Sequence, residues 1–291
     1  MTHVTLMGLG IMGSGIAHNI LKAGYPLTVF NRTKEKATPL IDLGAQWAGS
    51  PAQAAQHADI VISVVGDDEA SRSTWLGETG AFATLRPHTV AVECSTLSIK
   101  WIRNWHTLAH ERGVKSLDAP LAGSKLAAEA GTLTLFVGAD ADVLAKTRPV
   151  LSAFATNIIH FGPPASGSIY KLINNLQGAI HLLALSEGVA LAERAGLNMD
   201  VVLEALNSGV AASPMVKGKA ARVIDRDYDE VHFALRWMHK DLTYALRAAD
   251  ELGVPMPLVA EAREVYHVAM LMGLSDSDIA AVAEVVRGWR H

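Results

Sequence analysis

Lys171 and Asn175 are the pair whose types and spacing most directly suggest proton chemistry. They lie four residues apart in the apolar stretch SIYKLINNLQGAIHLLAL, residues 168–185. In a helix that spacing puts both side chains on one face. Desolvation among such neighbours lowers a lysine's pKa toward a useful value. Lys171 could then deliver a proton to a developing alkoxide and stabilise its negative charge. Asn175 could hold the substrate or the lysine. A solitary helix lysine ordinarily snorkels to solvent, so the other motifs must carry the assignment further.

Gly8-Leu9-Gly10-Ile11-Met12-Gly13 has the spacing G-x-G-x-x-G, directly after a strand-like segment and at the start of a helical one. Gly8 permits the tight turn, Gly10 lets the backbone approach a pyrophosphate, and Gly13 lets helix and strand pack closely. The helix N-terminus then offers N–H groups and a positive dipole end to phosphates. The end of the next strand selects the dinucleotide. An acidic residue there would bind the ribose 2′-hydroxyl of NAD. This chain instead has Asn31-Arg32-Thr33, in which Arg32 can pair with a 2′-phosphate and Thr33 can donate a hydrogen bond. NADP(H) is the expected cofactor, with NAD(H) as the second choice.

These residues need a scaffold, and the chain alternates short apolar runs with helical patterns through its first half. Residues 3–8, 26–31, 59–65, 89–94, 114–120, 132–138 and 156–162 read as strands. Ser98 is a plausible N-cap for a helix that Gly113 closes. Such alternation predicts βαβ units and a largely parallel sheet. After Gly162-Pro163-Pro164 only helical patterns remain, beginning with 166–195 and continuing at 200–208, 215–224, 233–252, 257–272 and 276–288. The expectation is an α/β Rossmann dinucleotide-binding domain over 1–163, followed by an all-helical substrate and dimerisation domain over 164–291.

Composition narrows the partners. The 291 residues are half hydrophobic and 19% charged, which excludes a disordered chain. A net charge of −4 gives no reason to expect nucleic acid or an anionic membrane surface. With one cysteine, Cys94, no intrachain disulfide is possible, and a cytoplasmic location is expected. The 12 histidines show no metal-ligand pattern, so no metal is expected. Trp101 and Trp105 read as core packing.

The motifs in order resemble the β-hydroxyacid dehydrogenase family over essentially the whole chain. They are GLGIMG (8–13), CST (94–96), DAPLAGS (118–124), AEAGTL (128–133), Lys171 through Asn175, and Lys240-Asp241. That family includes 3-hydroxyisobutyrate dehydrogenase, tartronate semialdehyde reductase and the glyoxylate/succinic semialdehyde reductases. The resemblance implies that Lys171 is the general acid and Asn175 its neighbour in substrate binding. It implies a carboxylate cradle at Ala122, Gly123 and Ser124, and contacts to substrate or nicotinamide from Ser95 and Thr96. Val65 and Gly66 would lie beside the cofactor, and Phe233 and Lys240 would close over it. Many relatives carry serine in place of Ala122 and glycine in place of Ser124. The Gly123-Ser124-Lys125 run is closer to the glyoxylate/succinic semialdehyde reductase branch.

Two other functions share this architecture. Imine reductases reduce C=N with NADPH but generally lack a lysine at the position of Lys171. A non-catalytic interaction module on the same fold has lost that lysine. An NADPH-dependent reductase of a small aldehyde-acid is therefore the preferred expectation. The 30-residue helix should leave an apolar face for a partner copy, giving a homodimer or homotetramer through the helical domain.

Overall fold

The computed structural model describes residues 1–288, which form two compact units, Met1–Lys171 and a second beginning at Leu172. The described residues of the first unit contain nine strands in one sheet. These are β1 (Val4–Met7), β2 (Leu27–Phe30), β3 (Gln46–Trp47), β4 (Ile60–Ser63), β5 (Val90–Glu93), β6 (Lys115–Asp118), β7 (Leu121–Ala122), β8 (Leu133–Gly138) and β9 (Ala155–Gly162). The sheet order is β3-β2-β1-β4-β5-β6-β8-β7, with β9 also paired to β8. The first six strands are parallel, and β8 runs antiparallel to β6 and β7. The order 3-2-1-4-5-6 is that of doubly wound dinucleotide-binding sheets.

All seven predicted strands form. β1, β4 and β5 are buried at every residue, because a parallel sheet is covered on both faces and its strands become continuous apolar runs. The sequence reading lacked β3 and β7. Each has two residues, too few for a period to show.

Helices α1 (Ile11–Lys22), α2 (Thr38–Asp42), α3 (Pro51–Ala55), α4 (Asp68–Trp75), α5 (Ile99–Glu111), α6 (Lys125–Ala130) and α7 (Ala141–Leu151) connect the strands. α5 begins as predicted, with the Ser98 hydroxyl accepting from the Trp101 N–H. Trp101 and Trp105 are fully buried.

The chain then enters α8 (Ser166–Arg194), a 29-residue helix whose first turns belong to the sheet unit and whose remainder belongs to the second. α9 (Met199–Ser208), α10 (Pro214–Asp225), α11 (Leu235–Leu252), α12 (Pro257–Ala269) and α13 (Ala283–Gly288) follow. Leu182 and Val189 of α8, Val223 of α10, Leu242 of α11 and Tyr266 of α12 share one core. The sheet unit thus precedes a helical one, as the fold class anticipated.

Three predicted helices need correction. The one expected from 233 starts at Leu235, because the Phe233 N–H donates to the Asp278 carboxylate and its carbonyl accepts from Ile279. The one expected to reach 272 stops at Ala269 and relaxes into a π turn, Met270–Leu274, broken at Gly273 with φ +85°. The one expected over 276–288 is extended at Asp278. It then forms a short 3-10 turn, Ile279–Val282, before α13.

Candidate active site

The loop after β1 is shaped by contacts a side chain would abolish. At Gly8, with φ +99°, a Cβ would sit 2.1 Å from the Val64 carbonyl oxygen, and at Gly13 it would sit 2.0 Å from the Gly8 carbonyl oxygen. Gly10 differs, since a Cβ there would meet no atom within 4 Å. The space above Gly10 is open to a ligand. Gly10 is also the N-cap of α1, which has no side-chain cap and no acidic residue in its first turn. The N–H groups of Ile11, Met12 and Gly13 therefore present a positive helix end, the environment a pyrophosphate requires.

Asn31 ties the next strand to this loop. Its Oδ1 accepts from the Leu9 N–H at 2.9 Å, and its Nδ2 donates to the Thr33 carbonyl at 2.9 Å. Leu9 is buried, whereas Arg32 and Thr33 are exposed beside the turn. The cradle fits a dinucleotide, which supplies or accepts a hydride when bound.

At the adjoining strand ends, the Val65 N–H donates to Ser95 Oγ at 2.8 Å, and Ser95 Oγ donates to Glu93 Oε1 at 2.5 Å. Ser95 is 3% exposed, so its hydroxyl proton is spent on Glu93 inside the sheet. Val65, Gly66 and Thr96 are half-buried around it. Glu93 also accepts from Trp75 Nε1 and Ser71 Oγ. Its complete burial raises the carboxyl pKa against the opposing pull of these hydrogen bonds. Sequence reasoning overlooked Glu93. The available signal was a carboxylate one residue before the end of the apolar run TVAVEC.

Ala122 ends β7, Gly123 turns with φ +140°, and Ser124 caps α6. A Cβ on Gly123 would press to 2.8 Å from Leu133 Cδ2. Ser124 Oγ accepts from the Ala127 N–H at 3.3 Å. As an acceptor there it keeps its O–H proton for donation elsewhere. Gly123 and Ser124 are exposed and Ala122 is half-buried.

Lys171 and Asn175 are each 8% exposed, one turn apart on α8. In the helical unit, Asn175 Nδ2 donates to Asp241 Oδ2 at 2.6 Å, and Lys240 Nζ stands 3.0 Å from Asp241 Oδ1. The Lys240 ammonium also lies 5.0 Å from the Tyr244 ring centre and 5.7 Å from that of Trp237. Asp241 was not singled out for a role, since nothing in sequence links it to Asn175. Phe233 is half-buried, with its N–H on Asp278. Among the described residues, no group of three His, Cys, Asp or Glu side chains could hold a metal, and no helix is long and apolar enough to cross a membrane.

A doubly wound sheet with an open glycine cradle, followed along the chain by a helical unit, defines a dinucleotide-binding protein. Comparisons specify the family. Residues 3–162 match the NAD-binding domain of 6-phosphogluconate dehydrogenase, and residues 165–286 match the NAD-binding family of NADP-dependent 3-hydroxyisobutyrate dehydrogenase. An NAD-dependent L-serine dehydrogenase of Pseudomonas aeruginosa is 35% identical, with 98% of each chain covered. A glyoxylate/succinic semialdehyde reductase 2 of Arabidopsis thaliana is 31% identical over 98% of this chain and 79% of its own. The crystal structure of a 3-hydroxyisobutyrate dehydrogenase from Salmonella typhimurium superposes with a TM-score of 0.90 at 28% identity, covering 98% of this chain and all of the other. The chain belongs to the β-hydroxyacid dehydrogenase family and is an NAD(P)-dependent oxidoreductase acting on CH–OH groups.

Proposed function

We propose that this enzyme interconverts a small semialdehyde or 2-oxo acid and the corresponding hydroxy acid, with NADPH preferred over NADH. The observation that carries the reading is Lys171, buried in α8 one turn before an equally buried Asn175. In the reducing direction Lys171 gives a proton to the carbonyl oxygen as it gains negative charge, and in the reverse direction it takes the proton back. Asn175 holds the substrate. Gly123 and Ser124, with Ala122 beside them, receive its carboxylate through backbone N–H groups and the Ser124 hydroxyl. Ser95 contributes by fixing the Val65 backbone, and Thr96 contacts the ligand. Gly8 to Gly13 cradle the pyrophosphate, Arg32 and Thr33 take the 2′-phosphate, and Val65, Gly66, Phe233 and Lys240 complete the cofactor site.

On this reading residues 1–163 bind cofactor, and residues 164–291 serve substrate and self-association. Exposed apolar residues of the helical unit, among them Val201, Leu258 and Leu271, suit a homodimer or homotetramer. The single thiol, Cys94, suits the cytoplasm.

The test is NADPH oxidation with succinic semialdehyde, glyoxylate, tartronate semialdehyde and methylmalonate semialdehyde, comparing the native enzyme with Lys171→Ala. Reduction of at least one, lowered by orders of magnitude in the variant, supports the proposal. NADPH binding without reduction of any, but with turnover of cyclic imines, would replace it with C=N reduction.

A further inference from the structure

We infer that Asp118 is a positioning residue for Lys171, seating the first turn of α8 on the sheet. The inference rests on the reading of Lys171 as proton donor.

Asp118 ends β6 and is fully buried. Its Oδ1 accepts from the Ala165 N–H at 2.7 Å and from His106 Nε2 at 3.0 Å. Its Oδ2 accepts from the Ser168 N–H at 2.7 Å and from Ser168 Oγ at 2.8 Å. A carboxylate offers about four acceptor sites, and all four are taken. Three of the donors belong to the start of α8, so a strand side chain serves as the cap for a helix that begins 48 residues later, at Ser166.

The backbone around this cap is tightly constrained. Ala165 holds φ +76°, a left-handed conformation that a residue with a Cβ rarely adopts. Its N–H is one of the two backbone donors that Asp118 accepts. A Cβ on Gly138 would lie 2.5 Å from Asp118 Oδ1, and one on Gly167 would lie 2.1 Å from the Phe136 carbonyl oxygen. Both glycines let the helix start press directly against β8. Ser168 precedes Lys171 by one turn, so a shift of the capped turn is carried to the lysine.

His106 holds the carboxylate from behind. Asp118 accepts only, so Nε2 carries the proton in this contact and Nδ1 is left to accept from Ser116 Oγ at 2.8 Å. The imidazole is 8% exposed and borders a cavity of about 310 Å³.

In Asp118→Asn an amide N–H2 replaces one acceptor oxygen and faces a backbone N–H whichever way it turns, that of Ala165 or that of Ser168. The expected result is a fall in kcat of about 10- to 100-fold, the scale set by a misplacement near 1 Å. NADPH affinity should stay within about twofold, because the Gly8–Gly13 loop is built by β1 and α1, which Asp118 does not touch. His106→Leu should lower kcat in the same sense, and His106→Gln, which restores an N–H donor, should recover much of it. If Asp118→Asn does not fold, Ser168→Ala removes a single donor to Oδ2, and a smaller fall in kcat at unchanged NADPH affinity is expected. A folded Asp118→Asn enzyme with native kcat, or one losing kcat and NADPH affinity in equal proportion, overturns the inference. Lys171→Ala is run in parallel. If it keeps native carbonyl reduction, the lysine assignment itself is wrong, an outcome distinct from failure of the Asp118 role.

Discussion

Asn175 Nδ2 donates to Asp241 Oδ2 at 2.6 Å, joining α8 to α11 inside the helical unit. Asn174 Nδ2 donates to Asn175 Oδ1 at 3.1 Å, so the amide is oriented from both ends. Asp241 is 2% exposed and has the Lys240 ammonium on its other oxygen. Asp241→Ala leaves a buried amide donor unpaired, which costs about 1–3 kcal/mol. A lower melting temperature and a reduced kcat are expected together. Native kcat in a folded variant would separate this bond from catalysis.

The glycine loop offers a cleaner separation of folding from binding. Gly10→Ala adds a methyl that meets no protein atom within 4 Å, whereas Gly13→Ala drives one into the Gly8 carbonyl. Gly10→Ala is expected to melt near the native temperature while binding dinucleotide at least tenfold more weakly, because the methyl fills space the pyrophosphate needs. Gly13→Ala should lose both. Native cofactor affinity in Gly10→Ala, read by fluorescence titration, would move the cradle elsewhere.

Arg32 is exposed at the end of β2, with Lys34 stacked over Trp47 at 4.5 Å just beyond it. A charge-assisted bond to a 2′-phosphate contributes about 1.5–3 kcal/mol. Arg32→Ala is therefore expected to raise the KM for NADPH by roughly 10- to 100-fold, with that for NADH nearly unchanged. Equal effects on both cofactors would show that Arg32 does not read the phosphate.

Acid should loosen the join between α8 and α13. Arg287 donates to both oxygens of Glu193, and also to Glu284 and the Val223 carbonyl. The Arg287 hydrogen bond holds the Glu193 carboxyl below its ordinary range against a smaller opposing effect of burial. A depressed native pKa contributes stability above the unfolded value, and that stability is lost as pH falls through the native one. Melting temperature should be insensitive to this pair near neutrality and fall as pH drops below about 4.5, the ordinary value of such a group. Arg287→Met is expected to cost on the order of 1 kcal/mol at pH 7, as befits a partly exposed pair, and to flatten the acid slope. An unchanged slope would assign the acid lability to other carboxylates.

Much of this protein is determined locally and is therefore legible in the chain. Gly8, Gly10 and Gly13 fall in one turn whose sterics admit only glycine at two of the three positions. The buried strands read as apolar runs because their two faces meet the same environment. Lys171 and Asn175 share a face because four residues make about one helical turn.

What only the tertiary structure decided is which partner each polar group meets. The Ser95 hydroxyl turns inward to Glu93, because the strand end offers it a buried carboxylate two residues away. α11 begins at Leu235 because Asp278, 45 residues from Phe233, draws the preceding N–H groups out of helical geometry. The Asn175–Asp241 bond spans 66 residues, and the cap from Asp118 to Ala165 spans 47. Periodicity and turn sterics act between neighbours in sequence and leave a pattern there. A buried donor and its acceptor are matched only by the complete packing of the chain, since burial makes an unmatched group costly wherever its partner lies in the sequence.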